Sequence, residues 1–292
     1  MKVLNFGSLN FDDVYQVDHF IQPKETMSSL SYAMNFGGKG ANQSIALKKA
    51  GVDVYQAGKV GRDGQPYIDY LNSFGVDTSC IKVNPEEASG RAIIQVCKGE
   101  NCILLYGGAN QTIDAELIDE VLNNFSEGDY LLIQNEISSL DILIQKAHDK
   151  GMKIVFNVAP MNEKVFTYPL ELVDIFIVNE VEGKGLAKCD SDDYEDIIKI
   201  LQEKYKGKEI LLTVGQDGSY YIHDDEVIHQ EAITVEAKDT TAAGDTFTGY
   251  FLASRLFGKS VEEALKVATK ASSLAVQKDG AAQSIPTMDE VE

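Results

Sequence analysis

Five short apolar runs recur along the chain: KVLNF (2–6), YLLIQ (130–134), KIVFN (153–157), DIFIV (174–178) and ILLTV (210–214). Each is apolar on consecutive rather than alternate positions and too short for a helix, the pattern of a strand buried on both faces. Between the runs the spacing becomes helical. Tyr67, Tyr70, Leu71 and Phe74 fall at i, i+3, i+4 and i+7 and stop at Gly75, and Asp114 precedes a segment carrying Leu117, Val121, Leu122 and Phe125. A polar cap before and a glycine after are the marks of helix ends. Phe247, Tyr250, Phe251, Ser254 and Arg255 keep the same spacing near the C-terminal end. This alternation predicts an α/β fold, a mainly parallel central sheet flanked by helices.

Two stretches break the rhythm. Residues 12–35 and 88–106 read as short strands, the second as a hairpin turning at Lys98-Gly99-Glu100-Asn101. They are expected to form a small β-sheet lid on a single domain spanning 1–292. The acidic DSDDYED (190–196) reads as a solvated loop and helix start, and there is no internal repeat or low-complexity linker.

Charge narrows the choice of partner. The chain carries 26 Lys and Arg against 46 Asp and Glu, a formal charge of −20, which repels nucleic acid and anionic membranes and leaves a small polar molecule as the better fit. No apolar run approaches the roughly 20 residues that span a bilayer, and MKVLNFGSLNF is too short and polar for a signal peptide, so a cytoplasmic protein is expected. Cysteines 80, 97, 102 and 189 form no C-x-x-C pair and the four histidines are scattered. Neither a zinc site nor a disulfide framework follows, and the thiols read as buried or idle.

Candidate chemistry gathers where the strands end. Asn10 and Asp12 follow the first run, Gln134 and Glu136 follow YLLI in the second; Asn157 closes the third, Asn179 and Glu182 follow the fourth, and Thr213 sits within the fifth ahead of Gly215 and Gly218. Open parallel sheets bind ligands beyond the carboxyl ends of their strands. The first strand leads into GSLN rather than G-x-G-x-x-G, and no G-x-x-x-x-G-K-[ST] occurs, which disfavours a dinucleotide fold and excludes a P-loop. In FGGKGANQ (36–43), Gly37, Gly38 and Gly40 let backbone approach a ligand, and Asn42 offers a donor and an acceptor. The alternative is a flexible turn with Lys39 in solvent. With Asn10 and Asp12, Asn42 makes a set suited to vicinal hydroxyls. In DTTAAGDTF (239–247), Ala242, Ala243 and Gly244 stand before Asp245 where the first backbone N–H groups of a helix point outward. Either a phosphate lies on those bare amides, or Asp245 is a first-turn acid on a tightly packed helix.

Taken together, GSLNFDD (7–13), GGKGANQ (37–43), GRAI (90–93), GGAN (107–110), NVAP (157–160), NEVE (179–182), TVGQDG (213–218) and DTTAAGDTF (239–247) give the chain a further meaning. In their order and spacing it resembles the ribokinase-like family of carbohydrate kinases over nearly its full length. The resemblance implies ATP-dependent phosphoryl transfer to a sugar hydroxyl, D-ribose first among the acceptors. Asp245 would be the catalytic base and Ala242, Ala243 and Gly244 the anion hole. Sugar contacts would come from Asn10, Asp12, Gly38, Lys39, Asn42 and Glu136, and nucleotide contacts from Asn179, Thr213, Gly215 and Gly218. Glu182 would organise Mg2+ through water; Asp239, Thr241, Ala275, Lys278, Gly280 and Ser284 would surround K+. A homodimer through the lid is also implied.

The chain departs from the family pattern at three positions. Tyr250 follows Gly249 where a small residue is usual, and Thr269 stands where many members place a histidine near adenine. Arg91 replaces an apolar lid residue, so that it either meets an acidic or phosphorylated substrate or faces outward. Kinases for fructose, 2-keto-3-deoxygluconate, a nucleoside or a phosphosugar, and a non-catalytic sugar or nucleotide sensor, remain alternatives.

Overall fold

The five apolar runs become neighbouring strands of one large sheet in the computed structural model, which describes residues 1–292. In chain order the first half comprises β1 (Val3–Phe6), β2 (Asn10–Gln16), β3 (Ser31–Gly37), α1 (Lys39–Lys49), β4 (Val54–Gly61), α2 (Gln65–Ser73), β5 (Asp77–Asn84), β6 (Gly90–Cys97), β7 (Glu100–Tyr106) and α3 (Ala115–Leu122). The middle contains β8 (Tyr130–Gln134), α4 (Leu140–Asp149), β9 (Lys153–Asn157), β10 (Ile175–Asn179), α5 (Glu180–Ala187), α6 (Tyr194–Lys204) and β11 (Glu209–Thr213). After β12 (Ser219–His223) and β13 (Glu226–Gln230) the chain ends with α7 (Ala243–Leu256), α8 (Val261–Ala275) and the short α9 (Met288–Val291).

The nine-stranded sheet has the order β13-β12-β11-β10-β9-β8-β1-β4-β5, and only β12 and β13 run antiparallel to their neighbours. Four of its strands, β4, β5, β12 and β13, are absent from the apolar runs, because polar residues such as Gln56 and Lys59 in β4 and Asp77 in β5 interrupt them. Alternate side chains of each central strand enter two cores. Leu4, Phe6, Leu131 and Ile133 pack with α3 to α6; Val3, Leu132 and Val155 pack with α1, α2, α7 and α8. Helices on both faces are what a parallel sheet requires.

A separate four-stranded sheet, β3-β2-β6-β7, grows directly out of the end of β1. The turn between β6 and β7 is only Lys98-Gly99, both left-handed (φ 52° and 87°), as a two-residue hairpin demands; Glu100 and Asn101 already belong to β7. This sheet has little core of its own, and every residue of β7 is exposed.

Candidate active site

Parallel strands bring their carboxyl ends to one edge, and here that edge is polar. Gln134 is in register with Asn157, and Asn179 with Thr213. Beside them β1 and β8 are neighbours, and the helix that follows β1, α1, packs on one face of the sheet while the helix that follows β8, α4, packs on the other, the arrangement that opens a crevice above the strand ends. A cavity of about 220 Å³ occupies this place, lined by Lys39, Asn157, Asn179, Glu182 and Thr213 on one side and Thr240 and residues 242–245 on the other.

Ala242 turns the chain into α7 with left-handed backbone (φ 60°). The Ala243 N–H is used within that turn, donating to the Thr240 carbonyl (3.2 Å), whereas the N–H groups of Gly244 and Asp245 donate to no protein acceptor. Gly244 matters by what it lacks, since a Cβ there would meet nothing and the approach to these amides is open. The Asp245 carboxylate ignores its own helix. It reaches across to α1, accepting from Asn42 Nδ2 at Oδ2 (3.0 Å) and from Gln43 Nε2 at Oδ1 (2.9 Å). That geometry is not that of a residue serving only its helix dipole.

The start of α1 explains the glycines before it. Gly38 has φ 94°, closed to residues with a Cβ, and a Cβ on Gly40 would come within 2.5 Å of the Gly7 backbone, so α1 can press against the end of β1. This contact brings Asn42 to Asp245 and leaves buried Asn42 Oδ1 without a partner. Asn10, also buried, accepts from Asn110 Nδ2 (2.7 Å), and Asn110 in turn accepts from the Leu9 N–H (3.0 Å). Glu136 accepts from the Ser8 hydroxyl and from the Lys39 N–H (3.2 Å). Ser8, Gln43 and Asn110 were not singled out in the sequence, although all three lie inside quoted motifs.

The acids around this pocket are held against burial. Burial, with Glu136 and Asp13 nearby, pushes the Asp12 carboxyl up to about 7. Burial raises Glu136 too, opposed by Lys39 and the Ser8 hydroxyl, and raises Glu182, opposed by the Asn179 N–H and Lys39. For Lys39 burial disfavours the charge, but the fields of Asp245, Glu136 and Glu182 outweigh it and lift its pKa. Lys39 is thus a half-buried cation among Glu136, Asp245 and Glu182, not a freely solvated side chain.

At the other end, N-x-x-E is a capping box. Asn179 Oδ1 accepts from the Glu182 N–H, and Glu182 Oε2 accepts from the Asn179 N–H, each at 2.9 Å. One carboxylate oxygen is therefore fixed and Oε1 is left for the cavity that Glu182 lines. Gly215 and Gly218 both have left-handed backbone (φ 54° and 97°), and a Cβ on Gly218 would strike the Gln230 carbonyl. Thr269 is buried on α8 and does not line the cavity. No group of three or more His, Cys, Asp or Glu side chains could enclose a metal.

Beside the start of α7, Asp239 ties two loops together, accepting from the Thr241 N–H and the Gly280 N–H (2.9 Å each). Burial works against its charge, yet the Thr241 and Gly280 hydrogen bonds prevail and hold its carboxyl below the ordinary range. The carbonyl oxygens of Asp239, Thr241, Lys278 and Gly280 accept no hydrogen bond from the protein, whereas that of Ala275 accepts from the Lys278 N–H (3.0 Å) and Ser284 is buried with its hydroxyl donating to the Ala281 carbonyl (2.7 Å). Arg91 faces away from the pocket, its guanidinium bonded to Asp13 (3.0 Å) and Asp63 (2.8 Å) over the Phe11 ring. Tyr250 is buried behind α7 and donates to the Pro286 carbonyl (2.6 Å), a packing and capping contact away from Asp245.

Known proteins share this arrangement over the whole chain. Residues 1–288 match the model of the pfkB family carbohydrate kinases. The ribokinase of Staphylococcus aureus is 36% identical over 304 residues, covering 99% of this chain and 98% of that protein, and the ribokinase of Haemophilus influenzae is 34% identical over 291 residues, covering 97% and 95%. Among solved structures, Arabidopsis thaliana ribokinase complexed with ribose and ATP superposes with a TM-score of 0.88 at 29% identity, covering 99% of this chain and 97% of that one. With the fold, the cavity and these relatives in agreement, the chain belongs to the pfkB family of carbohydrate kinases and is a sugar kinase.

Proposed function

We propose that the protein transfers the γ-phosphoryl group of ATP to the 5-hydroxyl of D-ribose. The carrying observation is the Asp245 carboxylate held by Asn42 and Gln43 beside the free N–H groups of Gly244 and Asp245 on the wall of the cavity, with Asn10 and Asp12 on β2 just past the end of β1. Near-full-length similarity to ribokinases, one solved with ribose and ATP, supports ribose as the acceptor. Outward-facing Arg91 counts against a phosphosugar, since its charge is already spent on Asp13 and Asp63.

In this reading the sugar hydroxyl gives its proton to Asp245 as its oxygen bonds the γ-phosphorus, and the bond to the bridging oxygen breaks with its electrons leaving on ADP. The Gly244 and Asp245 N–H groups and the positive end of α7 receive the charge on the transferring group. Asp12, Asn10 and the free Asn42 Oδ1 bind the sugar hydroxyls, with Gly38 and Glu136 shaping the pocket. Lys39 extends from the sugar side toward the phosphates. Asn179, Thr213, Gly215 and Gly218 form the nucleotide side.

Magnesium fits as a phosphate-bound ion held at Glu182 through water, because one carboxylate oxygen and no three-residue cluster is available. When bound it neutralises phosphate charge. Potassium fits the four unpartnered carbonyls of Asp239, Thr241, Lys278 and Gly280, with Ala275 and Ser284 adjoining. The exposed apolar residues Tyr32, Met34, Ile93 and Leu104 of the small sheet favour its covering by a second copy. The test is ADP release with magnesium and potassium across D-ribose, 2-deoxyribose, fructose, 2-keto-3-deoxygluconate and adenosine. Strong turnover on ribose is expected. Turnover on another acceptor alone would move the substrate, and silence on all with intact ATP binding would overturn the kinase reading.

A further inference from the structure

Under the cavity the core between the sheet and α1 contains a polar island. Asn5, Gln43, Ser44, Gln56 and Gln134 are each 0% exposed. Their hydrogen bonds leave little freedom of direction. Gln134 Nε2 donates to Asn5 Oδ1 (2.9 Å) and to Gln43 Oε1 (2.7 Å). Asn5 Nδ2 donates to Ser44 Oγ (2.9 Å) and to the Gly40 carbonyl (2.5 Å), and Ser44 donates to Gln56 Oε1 (2.6 Å). The Gln43 carbonyl is therefore engaged from below, and only its NH2 can face α7, where it donates to Asp245 Oδ1. Turning this amide over would set acceptor against acceptor at Asp245 and donor against donor at Gln134.

We propose that Gln43 is a positioning residue for the reaction: it fixes Oδ1 of Asp245 and so presents Oδ2 to the acceptor hydroxyl. This rests on the reading of Asp245 as the base. An Asp carboxyl otherwise turns easily about its Cβ–Cγ bond, whose torsion is broad. Asn42, the other partner of Asp245, has its Oδ1 unpartnered, so its amide is held at one end only and is the weaker reference. Gln43 is fully buried with both ends of its amide taken by protein partners, so it touches no substrate. An amide also suits the task chemically. Arg or Lys at this place would form an ion pair with the base and weaken it, whereas a neutral donor orients the carboxylate and leaves its charge in place.

The experiment compares Asp245→Asn, Gln43→Met and Gln43→Glu with the unaltered enzyme, measuring kcat, the KM of sugar and ATP, thermal unfolding and the pH profile of kcat. Gln43→Met is expected to lower kcat by about 30- to 100-fold with both KM values within about threefold, the pattern of a misoriented base. Gln43→Glu, changed by one atom, is expected to add an ionisation to the pH profile, because two carboxyls in one site titrate as a coupled pair. A residue needed only for packing would leave the shape of that profile alone. A dead Asp245→Asn beside a Gln43→Met enzyme with kcat within about threefold of normal overturns the positioning role while sparing the base. An active Asp245→Asn removes the base itself. Should Gln43→Met not fold, the Gln43→Glu profile decides alone, and one that superimposes on the unaltered enzyme's overturns the proposal.

Discussion

In the proposed reading the acceptor end is made of side chains, buried Asn10, Asn42 and Asp245 with half-buried Asp12, whereas the donor end is made largely of backbone: the N–H groups at the start of α7, the capped start of α5, and the glycine turns at 215 and 218. Asn42 is tied to Asp245 and Asn10 to Asn110 before any ligand arrives, and Asp12 and Glu136 stand where burial disfavours their charge. Such a site discriminates, since an acceptor lacking a hydroxyl leaves a buried group unpaired. Backbone amides read phosphate, which is common to many donors and needs no such discrimination. The two ends should therefore fail differently when altered.

The largest contrast is expected from Asp12→Asn. Loss of a half-buried acceptor for the sugar should lower kcat/KM for ribose about 10²- to 10³-fold and leave the KM of ATP within about twofold, and steady-state kinetics with each substrate varied would show it. Equal damage to both substrates would break the distinction between the ends. The same residue sets a pH dependence. With its carboxyl pushed up to about 7, Asp12 is protonated below that pH and loses the charge that strengthens its bonds to hydroxyls, so kcat/KM for ribose should rise through pH 7 and the limb should vanish in Asp12→Asn. The raised value also means that the folded state binds more protons than the unfolded one between about pH 4 and 7, so the Asp12 contribution to stability falls as pH rises across that window. Asp12→Asn should then unfold at a higher temperature than the unaltered protein at pH 8, with the difference shrinking toward pH 4.

A smaller effect belongs to the phosphoryl side. Filling the carbonyl cluster at Asp239, Thr241, Lys278 and Gly280 should steady the turn into α7, so potassium should raise kcat on the order of tenfold over sodium, by the same factor for every sugar accepted. Equal rates in the two salts would remove the cation from the account. The smallest effect is expected at Arg91. Its pairs with Asp13 and Asp63 are partly exposed and face away from the pocket, so Arg91→Gln should cost at most about 1 kcal/mol of stability and change kcat/KM less than about twofold. A selective loss of sugar affinity would mean that Arg91 reaches the acceptor after all.

The sequence made the frame legible because buried parallel strands announce themselves as unbroken apolar runs: β8 and β9 match their runs at both ends, and β10 and β11 within one residue. It hid β4, a central strand, because Gln56 stands inside it with its polar end answered by Ser44 and the Gly7 and Ala57 carbonyls. The motif around Asp245 was legible as a helix start open to anions. The direction of the carboxylate was not, because it depends on α1, some 200 residues earlier in the chain, packing against α7 through the close approach of Gly249 to Ala46. Asn5 carried a signal that passed without notice, and Gln134 was read only as a strand-end polar group: amides inside otherwise apolar strands must find partners, and theirs lead to Asp245 through Gln43.

The central claim is that Asp245 removes the acceptor proton, and the most direct test is turnover and ribose binding measured side by side on Asp245→Asn with ATP, magnesium and potassium. The account predicts a loss of about 10³-fold or more in kcat with ribose affinity within about threefold, because the amide keeps the shape of the site and loses the base. Turnover at the normal rate would contradict it.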